Sequence, residues 1–157
     1  DVSIGDFGVM TIHRSENTSK DRFDRILSFC KKVPFEIRLF AHHRTKQLLA
    51  GGVPENIRVY EACQYTEMVE QLSRCRFIIT DSGSIQKTSA FFGKKALIMR
   101  SNSEWKEAER QGFAKKFSKD ENKDLAWLLD APPQRNRELY SAGLAEGSAS
   151  GIILSNI

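Results

Sequence analysis

The chain has 157 residues, 40% hydrophobic and 28% charged, with a formal net charge of +4 and a pI near 9.0. That suits one domain with a substantial core and excludes a disordered or fibrous protein. The Lys and Arg residues are scattered, without a basic block, so a nucleic-acid partner is not expected; no apolar run approaches the roughly 20 residues of a membrane span, so no membrane partner is expected either.

The first residues, Asp1-Val2-Ser3-Ile4-Gly5-Asp6, have neither a basic start nor an apolar stretch, so no signal peptide is expected. The chain then enters its first strand, Phe7 to Ile12, a short apolar run fit for burial. A polar stretch, His13-Arg14-Ser15-Glu16-Asn17, follows. Thr18 with Asp21 predicts a helix cap, and Phe23, Ile26, Leu27 and Cys30 fall at helical spacing before Pro34. Glu36 to Ala41 is the second strand. A helix is expected from near Thr45 to Gly51-Gly52, and Ile57 to Tyr60 is the third strand. Tyr65, Met68, Val69 and Leu72 mark the buried face of the next helix.

Arg76 to Thr80 is the fourth strand, Asp81-Ser82-Gly83-Ser84 a turn, and Ile85 to Phe92 a helix stopped by Gly93. Ala96 to Met99 is the fifth strand, Trp105 to Gln111 a helix stopped by Gly112, and Phe113 to Phe117 a short sixth strand. From Asp120 to Ile157 the pattern predicts two or three helices, broken at Pro132-Pro133 and Gly147. Cys30, Cys63 and Cys75 form no Cys-x-x-Cys pair, so reduced thiols and a cytoplasmic location are expected. A zinc site of Cys63, His42 and His43 is disfavoured because adjacent histidines are poorly spaced ligands; no metal and no cofactor are expected.

Alternating strands and helices predict an α/β fold, a three-layer doubly wound parallel sheet. In the order 3-2-1-4-5-6, strands one and four meet at the switch point, where ligands bind beyond the strand ends. That brings together the three polar loops that begin at His13, Asp81 and Arg100. The Asp81–Ser84 turn opens a helix whose free N–H groups suit an anion. Gly83 leaves room at the backbone, and Ser82 and Ser84 add hydroxyls; an ordinary helix cap would use the same residues. Lys87 is placed in that helix's first turn, where the dipole disfavours a cation by up to about 1 kcal/mol and a bound phosphate would relieve it; a solvated Lys is the plain alternative. Arg100 suits two parallel hydrogen bonds to a diphosphate, or an ion pair with Glu104 or Glu107. His13 is a phosphate donor or an acid–base group, though a lone His is more often structural.

These segments resemble a known family. Thr11-Ile12-His13-Arg14-Ser15-Glu16-Asn17, His42-His43-Arg44-Thr45, Thr80-Asp81-Ser82-Gly83-Ser84-Ile85-Gln86, and Met99-Arg100 with Glu104 and Glu107 are similar, in order, to motifs of the non-hydrolysing UDP-N-acetylglucosamine 2-epimerases. The resemblance reaches the Gly147 region and covers the C-terminal one of the family's two Rossmann-like halves, as in the GT-B fold. It implies a single UDP-binding domain over 1–157, a tail helix from about residue 147 packing toward an N-terminal half, a UDP-sugar substrate, and a homodimer. It implies catalysis by elimination and re-addition of UDP, in which His13 assists and Ser82, Gly83 and Arg100 hold the diphosphate. His42 lines the cleft, and Arg14, Met68, Ser84, Thr88 and Glu104 lie along the nucleotide. In this chain Ser84 replaces a family glycine and Lys87-Thr88 replaces a Glu-Glu pair, whose second member binds the ribose. Met68 stands where a larger residue lies against the uracil, and Trp105-Lys106 replaces Arg-Pro. The rival functions are a UDP-sugar glycosyltransferase domain and a non-catalytic nucleotide-binding module.

Overall fold

The computed structural model describes residues 5–103 and 105–134. Its centre is one six-stranded sheet in the order β3-β2-β1-β4-β5-β6, with parallel pairing throughout. The strands are β1 (Phe7–Thr11), β2 (Glu36–Ala41), β3 (Ile57–Glu61), β4 (Phe77–Thr80), β5 (Lys95–Ile98) and β6 (Ala114–Lys116). The expected Rossmann-like sheet and its order are therefore present.

Burial explains which runs became central. Every residue of β1, β4 and β5 is buried, as required of parallel strands covered on both faces. In β3, at the edge, only Ile57 is buried, and charged Arg58 and Glu61 are exposed, as suits an edge strand.

The helices are α1 (Lys20–Cys30), α2 (His43–Lys46), α3 (Tyr65–Arg74), α4 (Gly83–Phe91), α5 (Lys106–Arg110) and α6 (Glu121–Leu129). They divide between two cores, one on each face of the sheet. Phe23, Ile26, Leu27, Cys30 and Leu128 of α1 and α6 pack with Met10, Ile37, Leu39, Ile79 and Leu97. Met68, Leu72, Ile85, Ala90 and Ala108 of α3, α4 and α5 pack with Val9, Ile78, Ala96 and Ile98. That division is the double winding.

Several local expectations change. Thr18 does not cap α1: Ser19 holds the N-cap position, and the Thr18 hydroxyl instead donates to the Ser15 carbonyl at 3.1 Å, closing a 3-10 turn over Ser15–Asn17. α2 starts at His43 and tightens into a 3-10 turn over Gln47–Gly51. Tyr65 is not on the buried face of α3; it is 58% exposed while Met68 and Leu72 are buried, because it is the first residue of the helix. The stops at Gly93 and Gly112 hold, with φ of 68° and 77°, the left-handed conformation that glycine adopts without a Cβ penalty. Residues 135–157, including the tail helix expected from about 147, lie outside the described residues.

Candidate nucleotide site at the switch point

β1 and β4 are neighbours, and their connections run to opposite sides of the sheet. Their carboxyl ends are joined side chain to side chain. Thr11 Oγ1 lies 2.6 Å from Thr80 Oγ1, and the Asp81 N–H donates to the Thr11 carbonyl at 3.2 Å. Thr45 adds α2 to this junction by donating its hydroxyl to the Ile12 carbonyl.

Asp81 organises the loops. Its side chain is fully buried and accepts from the His13 N–H at 3.0 Å, the Arg14 N–H at 2.9 Å and Asn17 Nδ2 at 2.9 Å. His13 Nδ1 stands 3.0 Å from its other oxygen. Burial alone would push this carboxyl up; the hydrogen bonds from His13, Asn17 and the Arg14 N–H outweigh that and hold it below the ordinary 3.8. A charged carboxylate only accepts, so His13 Nδ1 carries the proton and the ring is oriented by it. Asn17, also fully buried, donates from the same Nδ2 to the Met99 carbonyl at 2.7 Å. One carboxylate and one amide thus tie together the ends of β1, β4 and β5. In the sequence both residues fall within polar loops. A signal was present, an Asp directly after an apolar strand and an Asn in a conspicuous polar segment, but only the fold shows that they meet.

α4 begins two residues earlier than expected, at Gly83, with Ser82 as its N-cap. Ser82 makes no side-chain cap hydrogen bond. Its hydroxyl pairs with that of Ser84 at 3.0 Å, and its N–H donates to Thr80 Oγ1 at 3.0 Å. The helix end is therefore not closed by its own cap side chain, and two hydroxyls stand beside its first N–H groups, an arrangement suited to an anion. Gly83 has no positive φ; what it contributes is the missing side chain.

Arg100 follows β5 and is 15% exposed at the side chain, with Nε 3.6 Å from Glu16 Oε1 of the β1–α1 loop. Arg14 and His42 are exposed at the same end of the sheet. The His42 and His43 rings are 4.0 Å apart. Burial, then the neighbouring His43, His13 and Arg44, hold the His42 imidazole below its ordinary value. The chain's three histidines therefore lie close together at this end of the sheet. Thr88 lies one turn into α4 and donates to the Ser84 carbonyl at 3.0 Å. Met68 faces inward, 8% exposed.

Lys87 is the fifth residue of α4, past its first turn, so the expected conflict with the dipole is weaker. Its ammonium sits 4.8 Å from the Trp105 ring centroid. Gln86, not singled out from the sequence, is buried and donates to Ser103 Oγ at 2.8 Å, bracing the loop that carries Arg100. Glu104 lies outside the described residues. Among the described residues no group of three His, Cys, Asp or Glu side chains could hold a metal ion, and no helix is long and apolar enough to cross a membrane.

Residues 2–150 match the family model described as UDP-N-acetylglucosamine 2-epimerase. The chain is 33% identical over 106 residues to the UDP-2,3-diacetamido-2,3-dideoxy-D-glucuronate 2-epimerase of Pseudomonas aeruginosa, a match covering 64% of this chain and 30% of that protein. It is 26% identical to a UDP-N-acetylglucosamine 2-epimerase homolog of Methanococcus maripaludis, covering 95% of this chain and 43% of that one. Among solved structures it superposes on the UDP-GlcNAc 2-epimerase of Methanocaldococcus jannaschii with a TM-score of 0.74 and 23% identity, over 93% of this chain and 47% of that one. The same enzyme has a structure in complex with UDP-GlcNAc and UDP, with a TM-score of 0.73 and 22% identity, over 92% of this chain and 46% of that one. The fold is also shared, at 9% identity and a TM-score of 0.59 over 82% of this chain and 35% of that one, with the glycotransferase of kitacinnamycin. The chain belongs to the UDP-N-acetylglucosamine 2-epimerase family, and it spans less than half the length of the relatives it matches.

Proposed function

We propose that this chain is the UDP-binding part of an enzyme that inverts carbon 2 of a UDP-sugar, with a second Rossmann-like half completing the active site. The observation that carries the reading is the N-terminus of α4. It has no side-chain cap and adjoins the Ser82–Ser84 hydroxyl pair, on the sheet end that also carries Arg100 and His13. Backbone N–H groups and a guanidinium stabilise a diphosphate most when its negative charge is greatest, as it leaves.

A base of the other half takes the carbon-2 proton, the carbon-1–oxygen bond breaks, and its electron pair departs on UDP, leaving a 2-acetamidoglucal. Re-addition of UDP at carbon 1, with protonation of carbon 2 on the opposite face, gives the epimer. Ser82, Gly83, Ser84 and Arg100 hold UDP through both steps, and Arg14 and Glu104 contribute from the flanking loops. His13, oriented by Asp81 through Nδ1–H, has Nε2 available for acid–base work in the elimination, and His42 lines the cleft. Thr88 meets the ribose in place of an acidic residue, and Met68 supports the base pocket from beneath. No cofactor is required, because the leaving group returns.

The named relatives act on UDP-N-acetylglucosamine or on a diacetamido uronate, and what those substrates share is UDP and an invertible carbon 2. The isolated 157-residue chain should bind UDP saturably in calorimetric titration, and Arg100→Ala should weaken binding at least tenfold. No binding by the intact chain would remove the basis for the reading. The shared glycotransferase fold makes sugar transfer the rival. A full-length protein containing this chain should interconvert carbon-2 epimers without an acceptor, and turnover dependent on an acceptor would favour the rival.

A further inference from the structure

The proposed anion site draws on two separate elements, the N-terminus of α4 and the loop after β5 that carries Arg100. A diphosphate can use both only if they keep a fixed relation. Arg100 lies between two tethers. On its amino side, Asn17 Nδ2 donates to the Met99 carbonyl at 2.7 Å. On its carboxyl side, Gln86 Nε2 donates to Ser103 Oγ at 2.8 Å. The first tether leads to the β1–α1 loop. The second leads to the first turn of α4, where the Gln86 N–H donates to the Ser82 carbonyl at 3.1 Å.

Packing does not call for an amide at this position. Gln86 is 1% exposed, and a buried amide costs free energy unless its hydrogen bonds are made. An unbranched apolar side chain of similar length would fill the space without that cost. What the amide supplies is the bond to Ser103. Ser101 and Asn102, between the two tethers, are exposed, so packing does little to hold this segment. Glu16 stands 3.6 Å from Arg100 Nε, beyond hydrogen-bond length, and so attracts the guanidinium without fixing its direction.

We infer that Gln86 is a positioning residue: by holding Ser103 it fixes the Arg100 loop against α4, so that the guanidinium and the helix N-terminus address the same diphosphate. The inference rests on the reading of the α4 N-terminus as a diphosphate site. A guanidinium gives two parallel hydrogen bonds only from a set orientation. A loop ordered before the ligand arrives also spares binding the loss of ordering it.

The test titrates UDP into the intact chain, Gln86→Met, Ser103→Ala, Arg100→Lys, and Arg100→Lys combined with each of the other two, all below their melting range. Hydrogen exchange is followed on the same proteins without ligand. Gln86→Met should lose about tenfold in UDP affinity, and Ser103→Ala about as much. In the Arg100→Lys background either change should cost less than about twofold, because an ammonium is a point charge with no fork to orient. Exchange should quicken over residues 100–103 and stay unchanged in β4 and β5. Unchanged UDP affinity in Gln86→Met overturns the inference. So does an equal loss in the Arg100→Lys background, which would mean that Gln86 acts without Arg100. Faster exchange throughout the sheet would mark a general loss of stability and overturns it too. If Gln86→Met does not fold, Ser103→Ala decides by the same readings, since Ser103 is only half-buried. Failure of the intact chain to bind UDP defeats the proposed function itself, and this inference with it.

Discussion

The two ends of the central strands solve opposite problems with different chemistry. At the amino ends of β1 and β4 the contacts are steric and aromatic. A Cβ on Gly8 would sit 2.1 Å from a Phe77 ring carbon. Arg38 lies 3.6 Å from the Phe7 ring centroid and Arg76 4.4 Å from that of Phe35, so even the cations there cover rings. At the carboxyl ends the same strands finish in Thr11, Thr80 and Asp81, buried polar groups satisfied by one another and by Asn17 and His13. Packing is enough to hold an end that has nothing to aim. An end that must present loops in one orientation needs directional bonds, and those bonds cost stability when any partner is missing.

The largest expected effect breaks the polar end. Asp81→Ala leaves the His13 and Arg14 N–H groups and the Asn17 amide without their acceptor. It should cost about 3 kcal/mol in denaturant unfolding and abolish UDP binding. Loss of stability without loss of binding would mean that the loops are aimed by something else. Gly8→Ala breaks the packed end instead. Overpacking against Phe77 should cost about 1–3 kcal/mol, and UDP affinity, compared below the melting range, should be unchanged.

The buried Asp81 carboxylate also leaves a pH signature. Asp81 has its folded value depressed below 3.8, so the stability it contributes is present above the unfolded value. It is lost as pH falls below 3.8 and through the folded value. Acid unfolding of the intact chain should therefore steepen below that pH. Asp81→Asn should flatten that part of the curve, and an unchanged acid limb would contradict the assignment. The smallest effect belongs to Lys87→Ala. It removes a cation from the Trp105 ring and should cost roughly 0.5 kcal/mol, with UDP affinity within about twofold. A large loss of affinity would place Lys87 on the ligand.

The strands were the most legible part of the sequence, because a buried parallel strand is a continuous apolar run and six such runs alternate with helical spacing. β2 was found with its observed limits, and the others within a residue or two. Helix starts were less legible. The start of α4 at Gly83 and the failure of Thr18 to cap depend on where a hydroxyl finds its partner, and that partner is set by neighbouring backbone. Tyr65 reads as a core residue by spacing, yet its position at the first turn of α3 leaves it exposed.

By itself the sequence determined the α/β class, the strand order expected of it, the three polar loops and the family they resemble, since these follow from local pattern and motif order. What only the tertiary structure decided is how the loops are joined. Asp81 lies 64 or more positions from His13, Arg14 and Asn17, and Asn17 lies 82 positions from the Met99 carbonyl it holds. Local periodicity carries no information about contacts at that separation; they exist because parallel pairing brings the ends of β1, β4 and β5 to one edge, where a buried carboxylate must find its donors.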